Sequence, residues 1–328
     1  MQIWRMNRLP PTPLHRLAYP VLAASVALAL ACERSAPPAA RKDTVVNTVP
    51  PPESIVVTKP EPSLWDSAAG PALFSAGATP QEAFVIAPPY TDTVAMDSTR
   101  FDSAQLKALR VDLFAGGLKV GTARVAASVG SSRTDSCRTW PSAHLEVPAG
   151  DTGSTAAWSV AFETGRASPV AIDSIEGLTT PDSARLAADV ARLASALPGD
   201  TSAMFRGLPF VVKKAWRTKI PSGQAVLMAV VVRNVNQEAN PRQERILLIA
   251  ERDSTTGTPR YSPVYSERKA GLEETLETAD PIAIVLLGSE RYPTIVVTRD
   301  AGNGLSYTFI QRLGGQWQQR WASAYAGC

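Results

Sequence analysis

Four carboxylates lie close together in the sequence, and their possible chemistry is the easiest to name. Glu273, Glu274 and Glu277 precede Asp280 within a polar segment. Two carboxylates that face one another can act as the general acid and base of glycosidic hydrolysis. Carboxylates that neighbour one another along a surface loop are usually solvated instead. We therefore expect a solvated loop here and keep a carboxylate-based hydrolase as the alternative interpretation.

Histidine and serine add little support for catalysis or for a metal site. Of the two histidines, His15 lies in a basic leader and His144 lies in a candidate strand. A catalytic triad or a His-ligated metal requires partners for the imidazole, so we expect His144 to be structural. Ser266 and Lys269 have the Ser-x-x-Lys spacing of serine β-lactamases, but the companion motifs are absent. The sequence thus predicts no catalytic residue, no metal and no cofactor.

Two other segments contain residue types that bind ligands in many proteins. Asp300 and Asn303 lie in a glycine-rich turn, but one carboxylate and one amide carry too little charge for tight Ca²⁺ binding. We expect a plain hairpin turn there. Trp317, Trp321 and Tyr325 are spaced by four residues and would share one face of a strand. They could form a stacking platform for a glycan or peptide, but we expect them to close the core.

The chain begins with a leader. Arg5, Arg8 and Arg16 form a basic region that lacks acidic residues, and Leu17–Ala31 is predominantly apolar. This apolar stretch is shorter than the roughly 18–20 residues that span a bilayer. A basic region, a short apolar region and a small-residue exit are typical of a secretory signal peptide. We predict a signal peptide over residues 1–31, with an uncleaved signal anchor as the alternative.

The exit from the leader, Ala29-Leu30-Ala31-Cys32, resembles the lipobox of bacterial lipoproteins. The resemblance implies that the signal is cut before Cys32, that the Cys32 thiol carries lipid, and that the lipid anchors the chain to a membrane. Two acyl chains would anchor it stably, because each buried methylene contributes about 0.8 kcal/mol. The expected location is the bacterial cell envelope, with the outer membrane favoured. Cleavage at the same bond by the ordinary signal peptidase, which would leave a free thiol, is the alternative.

The cysteine count links the lipid to a disulfide. The chain has three cysteines, Cys32, Cys137 and Cys328. In an exported protein with an odd number of cysteines, one cysteine has no disulfide partner within the chain. If Cys32 carries lipid, the other two form an even pair in an oxidising compartment. We therefore predict a disulfide between Cys137 and Cys328. Two buried free thiols are the alternative.

The excess of basic residues belongs to the leader. The chain has 33 Lys and Arg against 30 Asp and Glu, and the three leader arginines account for the difference. The mature chain is therefore formally neutral, without the basic footprint that nucleic-acid binding requires. The predicted partners are the membrane, through the N-terminal lipid, and an envelope protein or glycan that the sequence does not identify.

A proline-rich segment follows the leader. Residues 33–62 contain seven prolines, which lack a backbone donor and fix φ, so neither a helix nor a central strand suits this segment. We predict that residues 32–63 are the lipidated cysteine and a disordered tether. We expect an α+β domain over residues 64–204 and an antiparallel β domain over residues 205–328.

The globular part is predicted to be mainly β (α+β), with antiparallel sheets in a meander and one packed amphipathic helix. Gly116-Gly117 is a two-residue turn of the kind that closes a hairpin. Thr180 is a candidate N-cap for a helix whose apolar stripe recurs every three to four residues from Leu186 to Leu197. Ala225–Val232 and Ile282–Leu287 are apolar on both faces, which favours central strands covered on both sides.

The regular spacing of short apolar segments after residue 207 predicts a meander. Its candidate strands are Phe210–Thr218, Ala225–Asn234, Arg245–Arg252, Ile282–Leu287, Thr294–Arg299, Ser306–Leu313 and Trp317–Tyr325. A fold of this kind, with no catalytic constellation in its sequence, is expected to be a non-catalytic binding or structural module of the envelope. An envelope hydrolase whose carboxylates the sequence does not locate is the alternative function.

Overall fold

The computed structural model describes most of the chain beyond residue 72. The described ranges are 73–86, 106–107, 109–129, 137, 139–147, 157–198, 202–220, 223–235, 240–252 and 260–328. All of them belong to one compact unit, Pro60–Cys328. The predicted signal peptide, Cys32 and the predicted tether lie outside the described residues. Within the part of the chain that is described, no helix combines the length and apolar character needed to cross a bilayer.

The first half of the described chain forms a closed antiparallel barrel. Its six strands are β1 (Leu73–Ala76), β2 (Glu82–Ile86), β3 (Arg110–Ala115), β4 (Leu118–Val129), β5 (Ser142–Glu146) and β6 (Val160–Glu163). They follow the order β1-β2-β5-β4-β3-β6, and side chains such as Phe74, Leu113 and Leu145 fill the interior. The β3–β4 hairpin turns at Gly116 and Gly117, as predicted. Gly116 has a φ of 58°, and a side chain at Gly117 would collide with the carbonyl of Val170.

The remaining strands form two antiparallel sheets. The five-stranded sheet has the order β12-β11-β10-β9-β8. The six-stranded sheet has the order β16-β15-β14-β13-β7, and β17 pairs with β15. The strands are β7 (Ala167–Pro169), β8 (Ile172–Ser174), β9 (Val211–Lys219), β10 (Ala225–Val235), β11 (Arg242–Arg252), β12 (Ser262–Leu272), β13 (Thr278–Leu287), β14 (Thr294–Asp300), β15 (Gly304–Leu313), β16 (Gln316–Ala322) and β17 (Ala326–Gly327).

Strand pairing continues across the domain boundary predicted after residue 204. β7 pairs with β13 and β8 pairs with β9, so each sheet combines a short strand from before that position with longer strands from after it. The connection between β8 and β9 contains the helix α1 (Thr180–Ser195).

The elements stack in four layers, and an apolar cluster fills each of the three gaps between them. α1 covers the outer face of the five-stranded sheet, where Leu193 belongs to one apolar cluster with Leu227 and Leu248. The two sheets face each other through residues such as Met228 and Ile295. The barrel packs on the other face of the six-stranded sheet, where Phe162 contacts Phe309. Each fully buried aliphatic or aromatic side chain stabilises this stack by about 1.5–3 kcal/mol.

The helix α1 agrees with its predicted apolar stripe. Leu186, Val190 and Leu193 are buried against the sheet. The N-cap is Thr179 rather than Thr180, one residue earlier than predicted. The Thr179 hydroxyl donates to Asp182 (2.8 Å), whose carboxylate also suits the positive end of the helix dipole.

The central strands also agree with the prediction. β10 is buried on both faces from Ala225 to Arg233, and β13 contains the predicted Ile282–Leu287. Each is covered on both sides by other layers of the stack, which explains its continuous apolar sequence. β12 was not predicted as a strand. It pairs only with β11 among the described strands, and its side chains are mostly exposed, so it lacks the apolar pattern of the other strands.

Candidate functional site

The residues with candidate chemistry in the sequence do not converge. His144 lies on β5 and is exposed. Ser266 and Lys269 lie three positions apart on β12 and therefore point to opposite faces of the sheet. Asp300 accepts a hydrogen bond from the amide of Gly302 (2.7 Å), which is an ordinary turn interaction. Among the described residues, no group of three or more His, Cys, Asp or Glu is arranged to hold a metal ion.

Two carboxylates of the acidic cluster are exposed to solvent, and the other two contact arginine side chains. Glu273 and Glu274 are exposed. Glu277 accepts a hydrogen bond from Arg299 (3.3 Å), and Asp280 on β13 accepts one from Arg245 on β11 (2.5 Å). These carboxylates serve as ionic contacts within and between the sheets rather than as a facing pair.

Trp317 and Trp321 are core residues, as expected, but they do not share a face. Tyr325 was also expected in the core, but it lies beyond the end of β16 and is exposed. Trp317 packs between the two sheets, whereas Trp321 packs towards the barrel and stacks on Phe309 with ring centroids 4.5 Å apart. A register shift between β15 and β16 adds one residue between the two tryptophans and reverses the alternation. The predicted common face is therefore wrong. Tyr325 donates to the side chain of Asn303.

The predicted disulfide is present. Cys137 and Cys328 are bonded, with Cα atoms 4.2 Å apart and a sequence separation of 191. Cys137 precedes β5 of the barrel, and Cys328 follows β17 of the six-stranded sheet. The amide of Cys328 also donates to the carbonyl of Asn303 (2.9 Å). The bond therefore joins two layers of the stack.

A charged cluster between the two sheets contains three groups with shifted pKa values, Tyr265, Glu267 and Arg299. Arg299 on β14 donates to both oxygens of Glu267 on β12, at 2.7 Å each, and Tyr265 also donates to Glu267. Burial raises the pKa of Glu267, but the hydrogen bonds from Arg299 and Tyr265 outweigh it, so the pKa lies below its usual value. Burial and the bond to Glu267 raise the pKa of the Tyr265 phenol.

A second charged cluster lies on the outer face of the five-stranded sheet, beyond the C-terminal end of α1. Arg233 on β10 stands directly opposite Glu244 on β11, and Arg268 on β12 reaches the same carboxylate. Arg233 donates to Glu244 through Nε (2.7 Å) and Nη2, and to the carbonyl of Phe205 through Nη1 (2.9 Å). The Arg233 and Glu244 side chains are 7% and 1% exposed, so this ion pair is buried.

This second cluster borders a cavity of about 330 Å³, which is a candidate binding site. The lining residues are Ala194, Ser195, Leu197, Gly207, Leu208, Phe210, Arg233 and Arg268. Sequence reasoning missed the cavity, although one signal was visible. Arg233 is a charge at the end of an otherwise continuous apolar run in a central strand, and such a charge needs a buried partner.

Comparison with protein-family models, with curated proteins and with solved structures found no match for this chain.

Proposed function

We propose that the chain is an exported protein, anchored to the bacterial envelope by lipid on Cys32, whose folded domain acts as a non-catalytic binding module. The leader and the Ala-Leu-Ala-Cys exit support export and lipid attachment. The membrane is its first partner, through the lipid.

The observation that carries this proposal is the Cys137–Cys328 disulfide. Structural disulfides persist in the oxidising compartments that exported proteins reach and are rare in the cytosol. The bond also uses two of the three cysteines, which leaves Cys32 for the lipid. One pairing thus agrees with both the compartment and the anchor.

The contacts of the acidic residues favour binding over hydrolysis. Glu267 and Glu277 both contact Arg299, and Asp280 contacts Arg245. A glycosidase needs a carboxylic acid whose pKa is raised, facing a second carboxylate. Glu267 has the opposite shift, because Arg299 and Tyr265 stabilise its ionised form. Glu267, Glu277 and Asp280 therefore act in joining strands and sheets.

Detergent phase partition tests the anchor. The precursor is expressed in a bacterium with labelled palmitate, and its membranes are separated into detergent and aqueous phases. We expect the wild type to carry label and to enter the detergent phase, because two acyl chains bind a micelle stably. Cys32→Ser should carry no label and should lose this partition.

Cys328→Ser is the matched control, since it removes a cysteine without touching the lipidation site. It should keep both the label and the detergent partition. An unlabelled wild-type protein in the aqueous phase would refute the lipid anchor.

A further inference from the structure

The cavity beyond the end of α1 has positive charge on its wall. Arg233 and Arg268 line it, whereas Glu244, which lies between them, does not. The other lining residues that the structure describes are uncharged. The wall therefore presents two guanidinium groups to a ligand, and the carboxylate that partly balances them is buried behind.

Arg233 keeps part of its hydrogen-bonding capacity. A guanidinium has five N–H donors. Three N–H groups of Arg233 donate to Glu244 and to the Phe205 carbonyl. Its two remaining N–H groups have no partner among the described residues. The Arg233 side chain is 7% exposed and stacks over Phe210, with its guanidinium carbon 4.3 Å from the ring centroid. A fixed, desolvated guanidinium of this kind is ready to bind a carboxylate.

The rest of the wall includes apolar side chains, although most of its accessible surface is polar. Ala194 lies in the last turn of α1 and Leu197 follows the helix, whereas Leu208 and Phe210 lie in the segment that enters β9. A volume of about 330 Å³ is at the lower end of small-molecule sites.

We propose that this cavity binds a small organic monoanion, with its carboxylate on Arg233 and Arg268 and its apolar body against Leu197, Leu208 and Phe210. The inference rests on the proposed binding role but not on the lipid anchor. The ligand experiment and the partition experiment therefore fail independently.

Negative charge beside the site favours a monoanion over phosphate. Glu244 lies behind Arg233 and Arg268, and its repulsion of a dianion is about twice its repulsion of a monoanion. The last turn of α1 also borders the cavity, and the partial negative charge of a helix C-terminus penalises a dianion more than a monoanion.

Calorimetric titration of the full mature chain, in micelles of an uncharged detergent at low salt, tests the proposal. Phenylacetate is the probe, because it joins one carboxylate to a compact apolar ring. We expect one site per chain for phenylacetate, no binding of its neutral amide phenylacetamide, and weaker binding of inorganic phosphate. Arg268→Gln should weaken the binding of phenylacetate at least about tenfold, since the substitution removes a charged hydrogen-bond donor.

Arg312→Gln is the matched control variant. Arg312 is about as buried as Arg268 (16% against 18% exposed), but it pairs with Glu251 and does not line the cavity. The affinity of the Arg312→Gln variant for phenylacetate should equal that of the wild type. Arg233→Gln is less informative, because it leaves Glu244 as a buried unpaired charge and can unfold the chain.

Three outcomes would overturn the proposal. The first is a wild type that does not bind phenylacetate at about 10 mM, which corresponds to less than about 2.7 kcal/mol of binding free energy. The second is equal binding of the acid and its amide, and the third is an Arg268→Gln variant that is folded by circular dichroism and binds as the wild type does. Tighter binding of phosphate than of phenylacetate would replace the carboxylate assignment with a phosphate site.

Discussion

Single charged residues hold the two sheets together at their margins. Arg299 and Glu267 join β14 to β12, Arg312 and Glu251 join β15 to β11, and Trp317 adds a hydrogen bond to Glu251 (2.7 Å). The apolar gap between the sheets does not fix how they slide over one another, because hydrophobic contacts are non-directional. Bidentate arginine–carboxylate contacts have fixed geometry, so they define the alignment of the sheets.

Glu267→Gln tests this role at the level of one residue. The substitution keeps the size of the side chain but removes the charge that holds Arg299 and accepts from Tyr265. We expect a loss of about 1–3 kcal/mol in the free energy of unfolding, because partly buried donors lose their ionised acceptor. Urea denaturation at neutral pH measures the difference. Glu277→Gln is the control and should cost less than about 1 kcal/mol, since Glu277 is more exposed.

The pH dependence of that difference has a defined sign. The pKa of Glu267 is depressed in the folded state, so its stabilising contribution is present above the unfolded-state value of about 4.3. The contribution disappears as the pH falls through the lower folded-state pKa, where the carboxyl becomes protonated in both states. The wild type and Glu267→Gln should therefore converge in stability at acid pH. A difference that grows as the pH falls would contradict this assignment.

At the scale of elements, α1 is the cover of the five-stranded sheet. Leu193 is 1% exposed and packs among apolar side chains of β9, β10 and β11. We expect Leu193→Ala to lower the free energy of unfolding by about 2–5 kcal/mol, through lost burial and the cavity that remains.

Arg185→Ala is the control on the same helix. The Arg185 side chain is 77% exposed and its ion pair with Asp182 is at the surface, so the change should be within about 0.5 kcal/mol. Thermal and urea unfolding of both variants provide the measurement. Equal losses for Leu193→Ala and Arg185→Ala would mean that α1 does not pack as described.

The elements differ in how much their sequences reveal. β10 and α1 were predictable because one is apolar on both faces and the other has an apolar stripe, and burial imposes both patterns. β12 was not predictable, because an exposed edge strand is stabilised by pairing with β11 rather than by burial. The prediction that Trp317 and Trp321 share a face of β16 was wrong for a related reason. The bulge that separates them arises from the pairing of β16 with β15, and the sequence of β16 alone does not indicate it.

The candidate binding site was less predictable than the fold. The apolar run of β10 indicates that Arg233 is buried, but its partner depends on register. Arg233 faces Glu244 because β10 and β11 pair in one alignment, and Arg268 joins them because β12 adds a third strand. The end of α1 then forms one wall. The register, the third strand and the position of the helix end all depend on tertiary structure, so local sequence patterns do not reveal them.

At the scale of the whole molecule, the disulfide supports a stack whose layers are distant in sequence. The barrel and the six-stranded sheet meet through apolar contacts and through the hydrogen bond from Tyr307 to Ser75 (2.6 Å). Cys137 and Cys328 add a covalent link between the same two layers. The short strand β17, paired only with β15 among the described strands, is held in place by that link and by the Cys328 amide.

The last prediction concerns removal of the disulfide. The bond closes a loop of 191 residues, for which the chain-entropy model gives up to about 5 kcal/mol of stabilisation through the unfolded state. Cys137→Ser, Cys328→Ser and the double variant lose the same bond, so we expect equal losses in all three. In reductant, the wild type loses the disulfide as well, so its free energy of unfolding should equal that of the variants. In the absence of reductant, alkylation of the folded wild type should label neither Cys137 nor Cys328, and rapid labelling of both would refute the pairing.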